Sequence, residues 1–284
     1  MEKIERVKSI IYQIVGENIF LLDNLALLKN RDYPNLIVNI ESDRGSDGSY
    51  NNGNINIGVL DIVDSYNLSR ELTNHSSFVN DNINKSNFFV SALNEDIRYL
   101  VNVGIPGSDV NLATKQLEDS DFLKQDEFSI NDQLSIYSLA YSIFHEIGHV
   151  IHDVYIPKSE AFTRERIADL FAFEAIKSLC KSDDAMSDVR LKGAIIGIGQ
   201  MLMYLPSEIE KNEKEHPHSI ERLYSLLDFW GIPYNSYYWE YAYKIVQKWT
   251  DKNHIPIIWE RESSRLFKDK LTDAYIRFRK NPQK

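Results

Sequence analysis

The stretch that most constrains this chain is Tyr141-Ser142-Ile143-Phe144-His145-Glu146-Ile147-Gly148-His149-Val150-Ile151-His152, which contains the pattern H-E-x-x-H. On an α-helix, residues four apart stand one turn apart on the same face. His145 and His149 can therefore direct two imidazole nitrogens at one ion, and zinc takes such ligands at about 2.0–2.1 Å. Glu146 follows the first of them. Its carboxylate can reach a metal-bound water without ligating the ion, as a general base must. The apolar flank Ile143, Phe144, Ile147, Val150 and Ile151 predicts a helix that enters the core. Gly148 costs such a helix about 1 kcal/mol against Ala. A residue without a side chain is useful where a metal or another backbone has to come close.

A catalytic zinc keeps three protein ligands and one position open for water. The segment Thr163-Arg164-Glu165-Arg166-Ile167-Ala168-Asp169-Leu170-Phe171-Ala172 predicts a second helix from its spacing of Phe162, Ile167, Leu170, Phe171 and Phe173. Glu165 and Asp169 share a face. If Glu165 ligates the metal, Asp169 can accept the remaining N–H of a ligand histidine and fix its tautomer. Ala168 would keep the two helices close. The competing reading puts both carboxylates on a solvated face, interleaved with Arg164 and Arg166. A metzincin pattern would need Gly at 152 and His at 155, where this chain has His152 and Tyr155, and the inverted H-x-x-E-H is absent. His152 reads as a helix-end histidine. Asp153 and Glu160 stay open as alternative third ligands.

A third cluster, Glu215-His216-Pro217-His218-Ser219-Ile220-Glu221-Arg222-Leu223, has a proline suited to a helix's first position. His216 at that junction and Arg222 six residues on can both face a cleft, where they could stabilise an oxyanion. An ordinary helix cap with a surface histidine is the other reading.

H-E-x-x-H, then E-x-x-A-D, then H-P-x-x-x-x-R, in that order, resembles the gluzincin zinc metallopeptidases. The pattern is similar to the core of the M48-type peptidases and of the soluble phage-exclusion, Lit-like (U49) peptidases, over residues 133 to 230. The resemblance implies His145, His149 and Glu165 as Zn2+ ligands, Glu146 as the base and Asp169 as partner of a ligand histidine. It implies His216 and Arg222 as groups that assist at the substrate oxyanion. M48-type enzymes are commonly membrane-embedded, and this chain departs from them there, which favours the soluble branch. The implied activity is cleavage of an intracellular protein, with phage defence as one role; regulated proteolysis, by a peptidase held latent until a protein activator binds, is a separate reading. The alternative is a non-catalytic zinc-containing regulatory or protein-binding module, in which a fourth protein ligand, His152 or Asp153, closes the metal site.

Net charge of −10 in 284 residues argues against a broad nucleic-acid or anionic-membrane surface. The single cysteine, Cys180, excludes an intramolecular disulfide framework and ends an apolar helical run, which suits a packed thiol. Met1 to Arg6 leads into mixed charge with no signal-peptide pattern. The longest apolar run, Ala194 to Leu205, is too short for a membrane span of about 20 residues. It predicts a buried helix beneath the site, stopped by Pro206. The compartment these features predict is cytoplasmic.

Elsewhere, residues 2–29 carry helical apolar spacing, and Val63 to Leu72 a partial helix signal within an Asn-rich stretch. Leu36 to Ile40, Ile55 to Val59, Phe88 to Leu93 and Ile97 to Val103 read as strands, with Asn52-Gly53 as a hairpin turn. The 97–103 strand is the candidate edge for a substrate added as a further strand. Asn131 or Asp132 is the expected cap of the motif helix. The expected fold class is α+β: a mainly helical core, formed by the motif helix and the third-ligand helix, with a small N-terminal mixed or antiparallel sheet. Residues 1–130 form the N-terminal helix and sheet part, 131–230 the catalytic helical core, and 231–284 aromatic-rich helices packed on that core, all in one continuous unit.

Overall fold

The computed structural model describes residues 3, 5–11, 13–14, 37–41, 49–51, 54–76, 115, 117–124, 128–155, 160–180, 185–204, 219–252, 269 and 276; within the strands and over 150–155 it describes the backbone course alone. Among the described residues, six long helices carry the architecture: α1 (Val59–Ser76), α2 (Ile130–Tyr155), α3 (Ala161–Leu179), α4 (Ala185–Tyr204), α5 (Ser219–Phe229) and α6 (Tyr237–Lys252). The central α2 packs against α4, α3 and α1, while α5 and α6 pack against α4 and against each other, and α5 also meets α3.

The start of α2 is fixed by a reciprocal cap. Asp132 Oδ2 accepts from the Ser129 amide at 2.9 Å, and Ser129 Oγ accepts from the Asp132 amide at 3.1 Å. Two orphan donors of the first turn are thereby satisfied. The cap is Ser129, with Asp132 as its acidic partner three residues on. Along α2 the apolar stripe Leu134, Leu139, Ala140, Ile143, Phe144 and Ile147 is buried.

Glycine permits the closest helix contacts. A Cβ at Gly148 would lie 2.6 Å from the Ala168 Cα, so α2 and α3 touch backbone to backbone there. A Cβ at Gly197 would lie 2.9 Å from the Ser138 carbonyl oxygen, which brings α4 equally close to α2.

The expected α+β class is corrected. The structure is a mainly helical fold, in which the N-terminal strands make only a small three-stranded pairing. Extended pairing among the described residues is confined to three short segments, β1 (Ile37–Glu41), β2 (Ser49–Asn51) and β3 (Asn54–Gly58). β1 lies parallel to β3 in the register Ile37 to Asn54, and β2 antiparallel to β3 with Asn51 opposite Asn54. The runs 88–93 and 97–103, which the expected N-terminal sheet was to contain, lie outside the described residues. Short β-branched runs favour local extension, but a sheet layer needs partners that bury its face. Among the residues whose burial is described, the core is drawn almost wholly from helices. The stretch 59–76 is one continuous helix, longer than its partial signal suggests. Among the described residues, no helix is long and apolar enough to cross a membrane.

Candidate metal centre

The site forms where α2, α3 and α5 converge. His145 and His149 stand one turn apart on α2, their ring centroids 4.7 Å apart and their planes at 85°. The two Nε2 atoms are 3.2 Å from each other. Glu165 reaches across from α3, with Oε1 3.2 Å from His149 Nε2 and Oε2 3.4 Å from His145 Nε2. These three residues are the cluster that could hold a metal ion among the described residues.

The donor set fits zinc. Two ligands bound tetrahedrally at about 2.0–2.1 Å lie roughly 3.3–3.4 Å apart. The two Nε2 atoms stand 3.2 Å apart, close to that spacing, and Glu165 brings one oxygen to 3.2 Å from His149 Nε2 and the other to 3.4 Å from His145 Nε2. Two imidazoles and one carboxylate are also the ligand types of an open, catalytic zinc site.

Around this cluster lies a buried layer of charge. Asp169, one turn after Glu165 on α3, places Oδ1 3.0 Å from His145 Nδ1. That approach is a charge contact and falls short of a well-aligned hydrogen bond. The same oxygen accepts from the Tyr141 hydroxyl at 3.0 Å and from Arg222 Nη1 at 3.2 Å. Arg222 Nη2 donates to Glu165 Oε2 at 2.6 Å, and its Nη1 is 3.4 Å from Met201 Sδ. His145, Asp169 and Arg222 are each no more than 6% exposed, so these contacts act with little screening by water.

The electrostatics follow from that burial. For His145, burial opposes the charged form, but Asp169 and Glu165 beside it outweigh burial and raise its pKa to about 9. A metal entering here displaces a proton from that ring. Burial pushes the Asp169 carboxyl up, while Arg222 and His145 more than offset it and hold the group below the usual carboxylate range. Burial raises Glu146, with His145 and His149 pulling it partly back. A carboxylate poised upward in this way is suited to taking a proton and returning it. Burial and then the Asp169 charge raise Tyr141 well above the ordinary phenol, so it stays a neutral donor.

Of the residues singled out in the sequence, His145, His149, Glu165, Asp169 and Arg222 come together, and Glu146 shares their electrostatic surroundings. His216 lies outside the described residues, as do the side chains of His152 and Asp153. Glu160 is exposed just before the first residue of α3, and no contact joins it to the cluster. Cys180 is half-buried, its Sγ 3.4 Å from the Ile176 carbonyl oxygen. Sequence reasoning passed over Tyr141, although its place four residues before His145 puts it on the same helix face.

No curated protein and no solved structure matches the chain. The family model described as Peptidase U49 matches residues 68–242, a span that takes in α2, α3, α4, α5 and all the site residues named above. The match covers more than half of the sequence, and the chain belongs to the peptidase U49 family.

Proposed function

We propose that the chain is a zinc-dependent endopeptidase that hydrolyses a peptide bond in an intracellular protein. The observation that carries this reading is the spacing of His145 Nε2, His149 Nε2 and the Glu165 carboxylate at 3.2 to 3.4 Å, with the half-buried carboxylate of Glu146 next to His145 in sequence. Membership of a peptidase family supports the reaction class. His145, His149 and Glu165 would hold the ion. When bound, zinc supplies a water of lowered pKa and polarises the scissile carbonyl. Glu146 takes the proton of the attacking water and returns it to the leaving amine. Asp169 holds His145 through Nδ1, which leaves Nε2 directed at the ion. His216 is the residue proposed to donate to the oxyanion.

The test is metal content and turnover of purified protein. The parent should hold about one zinc per chain, as a single three-ligand site requires. Glu165→Ala should lose the metal. Glu146→Gln should keep it and lose turnover by about 10²–10⁴-fold, the usual contribution of a general base. Full turnover by Glu146→Gln would remove Glu146 from the mechanism. A role in phage exclusion belongs to the same reading and rests on the resemblance alone. Phage plating efficiency on cells carrying the parent chain or Glu146→Gln measures it, and equal plating would end it.

A further inference from the structure

The sequence places Arg222 at a substrate oxygen, but in the fold its two terminal nitrogens are engaged elsewhere. From the first turn of α5, Arg222 reaches α3. Nη2 donates to Glu165 Oε2 at 2.6 Å and Nη1 to Asp169 Oδ1 at 3.2 Å. Glu165 and Asp169 are four residues apart on one helix face, and one planar guanidinium spans both carboxylates. The pull of Arg222 on Glu165 falls on one oxygen. Oε2, at 3.4 Å from His145 Nε2, takes the shortest charged contact from Arg222, while Oε1 faces His149 Nε2 at 3.2 Å.

A carboxylate can offer a metal one oxygen or both, and a catalytic zinc has to keep one position for water. The geometry points to Arg222 as a positioning residue that takes one oxygen of Glu165, so that the carboxylate presents a single oxygen to the metal and a coordination position stays open. The inference rests on the metal reading above. Arg222 also places one positive charge between the two carboxylates, which offsets their mutual repulsion. Lysine would keep the charge and lose the fork.

The experiment is a cobalt titration of the metal-stripped, full-length protein, followed by visible absorption. Four-coordinate cobalt absorbs intensely and five- or six-coordinate cobalt weakly, so the band reports ligand number without any turnover. The parent should bind one cobalt with an intense band. Arg222→Lys should bind roughly 10–100-fold more weakly, the usual cost of losing a group that orients a ligand, and its band should weaken as the second oxygen enters. Tyr141→Phe removes a hydroxyl from Asp169 without touching Glu165, and should keep the intense band. Arg222→Lys with the parent's affinity and spectrum would overturn the inference and leave the metal reading standing. A weak band from the parent itself would overturn it even if Arg222→Lys failed to fold. A parent that takes up no cobalt would sink the metal reading, and this inference with it.

Discussion

Asp169 Oδ1 takes contacts from three side chains on two neighbouring helices: His145 and Tyr141 of α2 and Arg222 of α5, with Asp169 itself on α3. A neutral amide cannot replace it. An asparagine there would offer one carbonyl oxygen and no charge, leaving Arg222 with Glu165 as its remaining carboxylate. Asp169→Asn should lower stability by about 2–3 kcal/mol, the scale of a hydrogen bond to a buried charged group, as read by urea unfolding of the metal-free protein. Stability equal to the parent's would mean that the ion layer adds nothing to folding. Much of this residue layer was legible. Spacing alone put His145 over His149 and Glu165 over Asp169, because a helix turns 3.6 residues at a time whatever surrounds it. Spacing could not say where Arg222 would point. That depends on how α5 crosses α3, which no local pattern contains.

Between elements, Gly148 and Ala168 decide how near α2 comes to α3, and so whether Glu165 reaches the two histidines. An alanine at 148 would gain about 1 kcal/mol of helix propensity. Its Cβ would also lie 2.6 Å from the Ala168 Cα and 2.9 Å from the Ala168 oxygen, both backbone atoms with nowhere to swing. Overpacking of that kind costs about 1–3 kcal/mol and forces the backbones apart, so the clash should outweigh the propensity. Gly148→Ala should therefore be less stable than the parent and bind zinc more weakly. Thermal melts and a competitive chelator titration would measure the two effects, and a more stable variant would show that the helices can part freely. Not every element could be read from the sequence. Helix α1 gave a weak signal because Ser65 and Ser69 lie on its buried side. Ser65 and Ser138 donate to Gln200 Oε1 at 2.7 Å each, and Gln200 Nε2 donates to the Asp61 carbonyl oxygen at 3.1 Å. Satisfied polar groups can sit in a core at little cost, and a pattern that sorts residues by hydropathy counts them as surface. The strand signals at 36–40 and 55–59 met β1 and β3, but short β-branched runs look alike whether or not a larger sheet receives them.

For the whole molecule, the question is how far the fold would depend on the proposed metal. Zinc-finger domains unfold without the ion because the site supplies their core. Here the helices around the site already meet through Gly148 on Ala168, the Arg222 bridges and a buried core that includes Phe144, Phe173, Ile195 and Trp239. The two histidines and the Glu165 carboxylate already face one another at 3.2 to 3.4 Å, so binding of the proposed metal would add its free energy to a folded state. Free metal at 1,000 times its Kd would stabilise that state by about 4 kcal/mol. At about 2–4 °C per kcal/mol for a domain of roughly this size, that is a rise of roughly 8–16 °C in Tm. Calorimetry of chelated and zinc-loaded protein should show one cooperative transition in each, with the chelated one lower by that interval. A chelated chain with no transition would mean that the ion is part of the core. Identical transitions in both samples would mean that nothing binds at His145, His149 and Glu165.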